Sequence, residues 1–307
     1  MLKEPYSERA LEPPQTGWPV LVGYSLAPVD DSPSLLLQGE GERVLVVGDL
    51  HIGWEITLAQ QGIHVPSQTS KLADRLLDII KKSSPTKIVF LGDVKHTVVG
   101  AELEEWRDIP EFFERIVPHV SDIQIIQGNH DGNIEPMTPR QVKIIPPNGI
   151  ALWGKYGLFH GHAWPAPELL GCESLIQGHL HPVVAFTDAL GYRITRPVWV
   201  RAPCNAAKLA RAILKDSKRR KLKNVEDTVR ERYGVELRVA RCLFVPPFND
   251  FLGGRPINVR QRTGSKWIKI DRFGPLLRGG VVNMNEAEVQ LLDGTYLGTV
   301  RQLRMFA

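Results

Sequence analysis

The chain has 307 residues of which 43% are hydrophobic, enough to bury the core of one large α/β domain or two small ones, and a disordered chain is excluded. Thirty-eight Lys and Arg against 34 Asp and Glu leave a net charge of +4, so whole-chain basicity of the histone kind is excluded and any nucleic-acid footprint must be local. Cys172, Cys204 and Cys242 form no CxxC pair, no signal-peptide stretch follows Met1, and no run approaches the roughly 18 apolar residues of a membrane span, which together predict a cytoplasmic protein without a zinc ribbon or disulfide scaffold.

Residues 1–19 are polar and carry Pro5, Pro13, Pro14 and Pro19, which predicts a surface arm. Val20 to Leu26 and Ser34 to Gln38 read as short strands, and Val44 to Val47 as a buried one. Ser67 is positioned to cap a helix whose Leu72, Leu76, Ile79 and Ile80 fall on one stripe, and Pro85 separates it from a second buried run, Ile88 to Leu91. A further helix with Phe112, Phe113 and Ile116, broken near Pro110, precedes a third run, Ile123 to Ile126. Strands alternating with helices predict a parallel sheet, whose chemistry lies at the carboxyl ends of its strands. After residue 140 the segments shorten (Val142 to Ile145, Ile150 to Trp153, Leu158 to Phe159, Leu175 to Ile176), which predicts a second, mostly antiparallel sheet.

Polar residues follow these runs in a regular way. Asp49 and His51, Asp93, Asn129 and His130, His160 and His162, and His179 and His181 each come just after an apolar segment, and six of the nine histidines are among them. Carboxylate, amide and imidazole together suit divalent ions such as Mn²⁺, Fe²⁺ or Zn²⁺, and the donors exceed what one tetrahedral ion needs. Two ions sharing a carboxylate, roughly 3.5 to 4 Å apart, lower the pKa of a water between them and face an oxygen-rich electrophile, so phosphate-ester hydrolysis is the chemistry this set predicts. In His160-Gly161-His162 either imidazole could reach a metal.

Asp-x-His, Gly-Asp, Gly-Asn-His-Asp, His-Gly-His and Gly-His-x-His, in this order, resemble the signature of the calcineurin-like metallophosphoesterases. The resemblance implies a four-layer αββα sandwich in the α/β class, with one metal held by Asp49, His51, Asp93 and His181 and the other by Asp93, Asn129, His160 and His179. It makes Asp93 the bridge, prefers His160 over His162 as ligand, and gives His130 the task of protonating the leaving oxygen or stabilising phosphoryl charge, with Asp131 following it as a second catalytic residue. His162 and His96 are expected to support these groups from behind, while His64 and His119 read as surface or capping histidines.

Protein phosphatases of this superfamily carry an Asp-Arg-Gly after the second motif, whereas here Asp93 is followed by Val94-Lys95-His96. Gly-Asp-x-Lys-His, His-Gly-His, Gly-His-x-His-Pro and the segment Pro246 to Gly254 resemble instead the archaeal Icc-like phosphoesterases and bacterial phosphoesterases associated with DNA ligase and repair. That resemblance spans about residues 20–260 and implies a phosphodiesterase or nuclease acting on DNA or RNA, with a repair helicase or ligase as partner, while the mixed oxygen and nitrogen donors favour Mn²⁺. The competing readings are a small-molecule phosphodiesterase or phosphatase, and a non-catalytic scaffold of the same fold.

From Lys208 to Lys223 eight basic residues (Lys208, Arg211, Lys215, Lys218, Arg219, Arg220, Lys221 and Lys223) face one acid, Asp216. This segment is +7 within a chain of +4, so everything outside it sums to −3. Leu209 and Ile213, then Leu222, Val225, Val229 and Tyr233, keep helical spacing, which predicts a basic helical insertion over about 205–235. It reads either as a solvated face or as a surface for a phosphate backbone. Gly253-Gly254, Gly279-Gly280 and Asp293-Gly294 predict turns in a β-rich C-terminal extension over 261–307, and no phosphate loop of the Gly-x-x-x-x-Gly-Lys type occurs.

Overall fold

The computed structural model describes residues 23–188, 190–216, 224–259, 261–263, 266–268 and 273–306. The arm expected over 1–19 lies outside them, as do Lys218, Arg219, Arg220, Lys221 and Lys223, and Lys215 is described for its backbone alone.

The chain opens with β1 (Ser25–Pro28), β2 (Ser34–Gly39) and β3 (Glu42–Val47), paired antiparallel in succession. A short helix α1 (Trp54–Ala59) and α2 (Thr69–Ser83) lead to β4 (Lys87–Phe90), then α3 (Leu103–Ile116) to β5 (Asp122–Ile126) and a turn to β6 (Val142–Ile145). These six strands form one sheet in sequence order, parallel from β3 to β6. Alternation along β3 decides what each face meets: Leu45 and Val47 pack with Leu72, Leu76, Phe112 and Phe113 of α2 and α3, while Val44 and Val46 face the second sheet.

Two expectations need correction here. α3 runs unbroken through Pro110, because Ile109, Phe112, Phe113 and Ile116 are fully buried, and Phe112 and Phe113 pack edge-on against Phe90. That burial outweighs the loss of one backbone hydrogen bond. The cap of α2 is Gln68 rather than Ser67, whose hydroxyl instead donates to Asp108 Oδ2 at 2.7 Å and ties the start of α2 to α3.

The second sheet is built from β7 (Ile150–Leu152), β8 (Tyr156–Phe159), β9 (Ser174–Gln177), β10 (Pro182–Thr187) and the long β11 (Arg193–Pro203). Helices α4 (Ala206–Asp216) and α5 (Val225–Tyr233) then cross to β12 (Arg241–Phe244), which allows β12 to pair parallel with β9. β13 (Arg255–Pro256) adds beside β10, and β14 (Gln261–Thr263) with β15 (Lys266–Ile268) makes a separate hairpin. After α6 (Gly274–Arg278) the chain returns as β16 (Glu288–Leu291), β17 (Tyr296–Thr299) and α7 (Val300–Leu303). The C-terminal segment contributes a strand to the second sheet, where β16 pairs antiparallel with β11 from Val198 to Arg201.

α4 and α5 pack Leu209, Ile213, Val225 and Val229 on the outer face of this sheet, together with Leu276 and Val289 from the C-terminal segment. Lys208 and Arg211 stay exposed on the opposite side of α4. Between the sheets lies a third core in which Val44, Val89 and Leu91 meet Leu158, Ile176, Trp199 and Leu243. The order of layers is helix, sheet, sheet, helix.

Candidate metal centre

The loops after β3, β4 and β5 meet those after β8 and β9 at one end of the sandwich. Backbone bonds continue the first sheet past its strands: Asp49 N–H donates to the Gly92 carbonyl at 3.1 Å and His51 N–H to that of Asp93 at 2.8 Å. Asp49, His51, Asp93, His179 and His181 all adopt left-handed backbone, with φ between 44° and 66°. L-residues rarely hold that conformation, so the surrounding structure imposes it on five residues of the motifs at once. Glycines allow the loops to close in. A Cβ on Gly92 would lie 2.6 Å from both the Gly128 nitrogen and His160 Nδ1, and one on Gly178 would lie 2.8 Å from Asp49 Oδ2.

Donor atoms of Asp49, His51, Asp93 and His181 lie within 4.8 Å of one another, as do those of Asp93, His160 and His179, and Asp93 is common to both groups. Within the first, His51 Nε2 is 3.5 Å from Asp93 Oδ2 and His181 Nε2 is 3.4 Å from Asp49 Oδ1. In the second, His160 Nε2 stands 3.3 Å from Asp93 Oδ2, 3.2 Å from His179 Nδ1 and 3.3 Å from Asn129 Oδ1. The ring of His160 is oriented from behind, because its Nδ1 donates to the Leu91 carbonyl at 2.5 Å. This fixes which imidazole of His160-Gly161-His162 turns inward with Nε2.

The donor set fits divalent ions. His51 Nε2 and His181 Nε2 are buried yet make no hydrogen bond, an expense that a buried polar atom rarely bears without a ligand. Burial holds His51 and His179 down to about 3, so both are neutral imidazoles, the form that ligates metal. Against its own burial, His160 is pushed up to about 9 by the charges of Asp93 and Asp49 and its bonds to Asp93 and Leu91. Asp93 is held well below the usual carboxylate range, its desolvation overcome chiefly by the charge and hydrogen bond of His160.

The remaining predicted residues surround this cluster. His130 N–H donates to Asp93 Oδ1 at 2.9 Å, its Nδ1 donates to the His96 carbonyl, and its Nε2 faces Asp93 Oδ2 at 4.0 Å. His96 places Nδ1 3.3 Å from that of His51 and bonds Thr57 through Nε2 at 2.9 Å. His162 is half-buried against His160, and burial lowers it to about 4. Asp131 is turned away from the cluster: its fully buried carboxylate accepts the N–H groups of Val94, Lys95 and Gly128 at 2.9, 3.1 and 2.8 Å. Its part is to hold two ligand loops together, and Asp131→Ala, which strands three buried donors, should cost about 3 kcal/mol or more in urea unfolding. His64 and His119 are exposed and distant from the motifs in sequence.

Sequence reasoning missed Glu105 and Lys95. Glu105 is fully buried and accepts the N–H groups of His96, Thr97 and Glu102, holding the loop behind Asp93. Its signal was available as an acid three residues into a helix, the pattern of an N-terminal cap. Lys95 is fully buried as well, with Nζ donating to the carbonyls of Thr97 and Gly100.

Residues 42–198, just over half of the chain, match the family model for the calcineurin-like phosphoesterases. The chain belongs to that family. It is a metal-dependent phosphoester hydrolase, and the family implies a dinuclear site of divalent ions for the clustered Asp and His side chains. Among solved structures this phosphoesterase is similar to Pseudomonas putida nuclease MPE at 16% identity, over 89% of this chain and 100% of that one, with a TM-score of 0.47. It is also similar to YfcE, a phosphoesterase from E. coli, at 21% identity over 48% of this chain and 74% of that one, with a TM-score of 0.30. No curated protein sequence matches the phosphoesterase, and no helix among its described residues is long and apolar enough to cross a membrane.

Proposed function

We propose that this phosphoesterase cleaves phosphodiesters of nucleic acid in DNA repair or processing, using two Mn²⁺ ions. The observation that carries the metal chemistry is the convergence of two donor groups on the single carboxylate of Asp93. Asp49, His51, Asp93 and His181 would hold one ion, and Asp93, Asn129, His160 and His179 the other. Mixed oxygen and nitrogen donors favour Mn²⁺ or Fe²⁺, and Zn²⁺ fits the same set. When bound, such a pair lowers the pKa of water and polarises phosphoryl oxygens.

The side chains do the rest. With Nδ1 committed to the His96 carbonyl, His130 presents Nε2 to the cluster and is placed to hand a proton to the leaving oxygen. A diester is preferred because the arginine-bearing motif of the protein phosphatases is absent, leaving Val94-Lys95-His96 after Asp93. A polyanionic substrate is supported by the +7 segment from Lys208 to Lys223, of which Lys208 and Arg211 stand exposed on α4.

The test compares bis-p-nitrophenyl phosphate with p-nitrophenyl phosphate as substrates of metal-stripped protein reloaded with Mn²⁺, Fe²⁺ or Zn²⁺. Mn²⁺-dependent diester turnover supports the reading, whereas a monoester rate far above the diester rate moves it to a small-molecule phosphatase. Oligonucleotide binding across a salt series examines the substrate class. If four of the eight basic residues reach phosphates, log K against log salt has a slope of roughly −0.9 × 4 on duplex DNA, and Arg219, Arg220 and Lys221 replaced together by Ala reduce its magnitude by about 3. An unchanged slope makes the segment a solvated face only.

A further inference from the structure

The segment Pro246 to Gly254 follows β12 and has no part in the metal centre, yet it is fastened to it. Phe248 N–H donates to the Gly48 carbonyl at 2.9 Å, and Asn249, 1% exposed, donates through Nδ2 to the Leu50 carbonyl at 2.9 Å. Asn249 Oδ1 then accepts Phe251 N–H at 3.0 Å, and Arg75 clamps the segment from outside through the Phe248 carbonyl at 2.9 Å. Gly48 and Leu50 flank Asp49, so the backbone that carries Asp49 also sets the position of Phe251.

Phe251 is 47% exposed and stacks on Trp54, with ring centroids 5.7 Å apart and planes 29° from parallel. Trp54 opens α1 directly after the loop of His51, whose carbonyl accepts its N–H at 3.0 Å. The segment continues past Gly254 to Arg255, whose N–H donates to the His181 carbonyl at 2.7 Å and whose guanidinium carbon lies 3.7 Å from the centre of the Phe273 ring. Gly274, next to Phe273, comes so near the other loops that a Cβ there would be 2.7 Å from the Gly161 carbonyl oxygen and 3.8 Å from His179 Cδ2. One stretch of chain thus carries two stacks of planar groups, one attached to the His51 loop and one to the His181 and His179 loops. Phe251, Arg255 and Phe273 lie outside residues 42–198, which match the family model, whereas Trp54 lies within them.

We propose that the Trp54–Phe251 and Arg255–Phe273 stacks bind the nucleobases on either side of the phosphate held in the metal centre, and that the enzyme thereby selects unpaired nucleotides. The inference rests on the nucleic-acid reading above. A phosphate fixed at the cluster brings its neighbouring bases to the surrounding rim. Every base has a flat π face, which an aromatic ring or a guanidinium plane binds with little regard to sequence. Within a duplex those faces are already taken by adjacent bases, so the rim gains contacts only with bases that are free to turn outward.

The experiment measures kcat/KM with Mn²⁺ for three substrates of equal length: a single strand, the same strand with abasic sites flanking the scissile position, and a duplex. The parent enzyme should prefer the base-bearing strand over the abasic one by roughly 5- to 100-fold, the effect of a stacked base or two. Phe251→Ala, at an exposed position, and Trp54→Ala should shrink that ratio toward one, while Trp54→Phe keeps most of it. A parent that cuts the abasic strand as well as the base-bearing one, or a ratio untouched by Phe251→Ala, overturns the stacking rim. Protein that hydrolyses bis-p-nitrophenyl phosphate but none of the three oligonucleotides overturns the nucleic-acid reading itself.

Discussion

Asp93→Ala should lower diester hydrolysis by roughly a thousandfold or more, and further than the loss of any donor that belongs to one group alone. Asp93 is the only side chain common to both donor groups among the described residues, with Oδ2 facing His51 and His160 at 3.5 and 3.3 Å and Oδ1 accepting the His130 N–H at 2.9 Å. Removing it would take a donor from each group and the hydrogen-bond acceptor of the His130 N–H together. Asp93→Asn keeps a side chain of the same shape and an oxygen for His130 but gives up the charge, so it should fall nearly as far. His51→Ala should retain part of its metal, and elemental analysis of the variants separates these cases. Turnover in Asp93→Ala equal to that of the parent removes the assignment of Asp93 as a bridge.

Gly128→Ala should reduce kcat by about a hundredfold, the scale set by misplacing reacting groups by an ångström. Its added Cβ would fall 2.1 Å from Asp93 Oδ1, which is held by the His130 N–H, and 2.3 Å from the Asp93 backbone nitrogen. The loops after β4 and β5 must therefore separate. Gly128 does not have the left-handed backbone that would make alanine costly for conformational reasons, so the effect reports contact alone. Gly132→Ala is the internal control: it lies four residues on in the same loop, its nearest neighbour would be the Val98 carbonyl oxygen at 3.8 Å, and its activity should stay near that of the parent. A fall in both variants would point to a general sensitivity of the loop instead.

What was legible in the sequence follows from burial. β3 and β4 are covered on both faces, which makes Val44 to Val47 and Ile88 to Leu91 continuous apolar runs, β5 keeps Ile123, Ile125 and Ile126 buried around a half-buried Gln124, and the residues after these strands stand out as the first polar groups the chain can place at the edge of the core. The helices α2 and α3 were equally visible through their stripes, but the passage of α3 through Pro110 was not, because the balance is struck by Phe90 on a neighbouring strand. Spacing could not choose between His160 and His162 for the same reason: the deciding partner, the Leu91 carbonyl, lies 69 residues away in sequence. Trp54 and Phe251 carry no local sign of each other. The amide donors that commit Asp131 to structure were hidden too, since Gly-Asn-His-Asp has the same letters whether its last carboxylate faces a reaction or a backbone.

The pairing of β16 with β11 has a consequence for the order in which the molecule is assembled. β10 covers one edge of β11 as far as Pro197, and β16 takes over that edge from Val198. All six strands of the first sheet have been synthesised by residue 145, in sequence order and with neighbouring partners, so that half can collapse while the ribosome is still working. The second half must wait for Glu288 to emerge before the strand that precedes the α4–α5 crossover has its edge filled. A chain released at residue 285 would contain every Asp, Asn and His of the metal centre, yet leave part of a central strand unpaired and open to another chain. Such a fragment is expected to be recovered as aggregate, and the newly made protein to acquire activity only after Glu288–Leu291 have emerged.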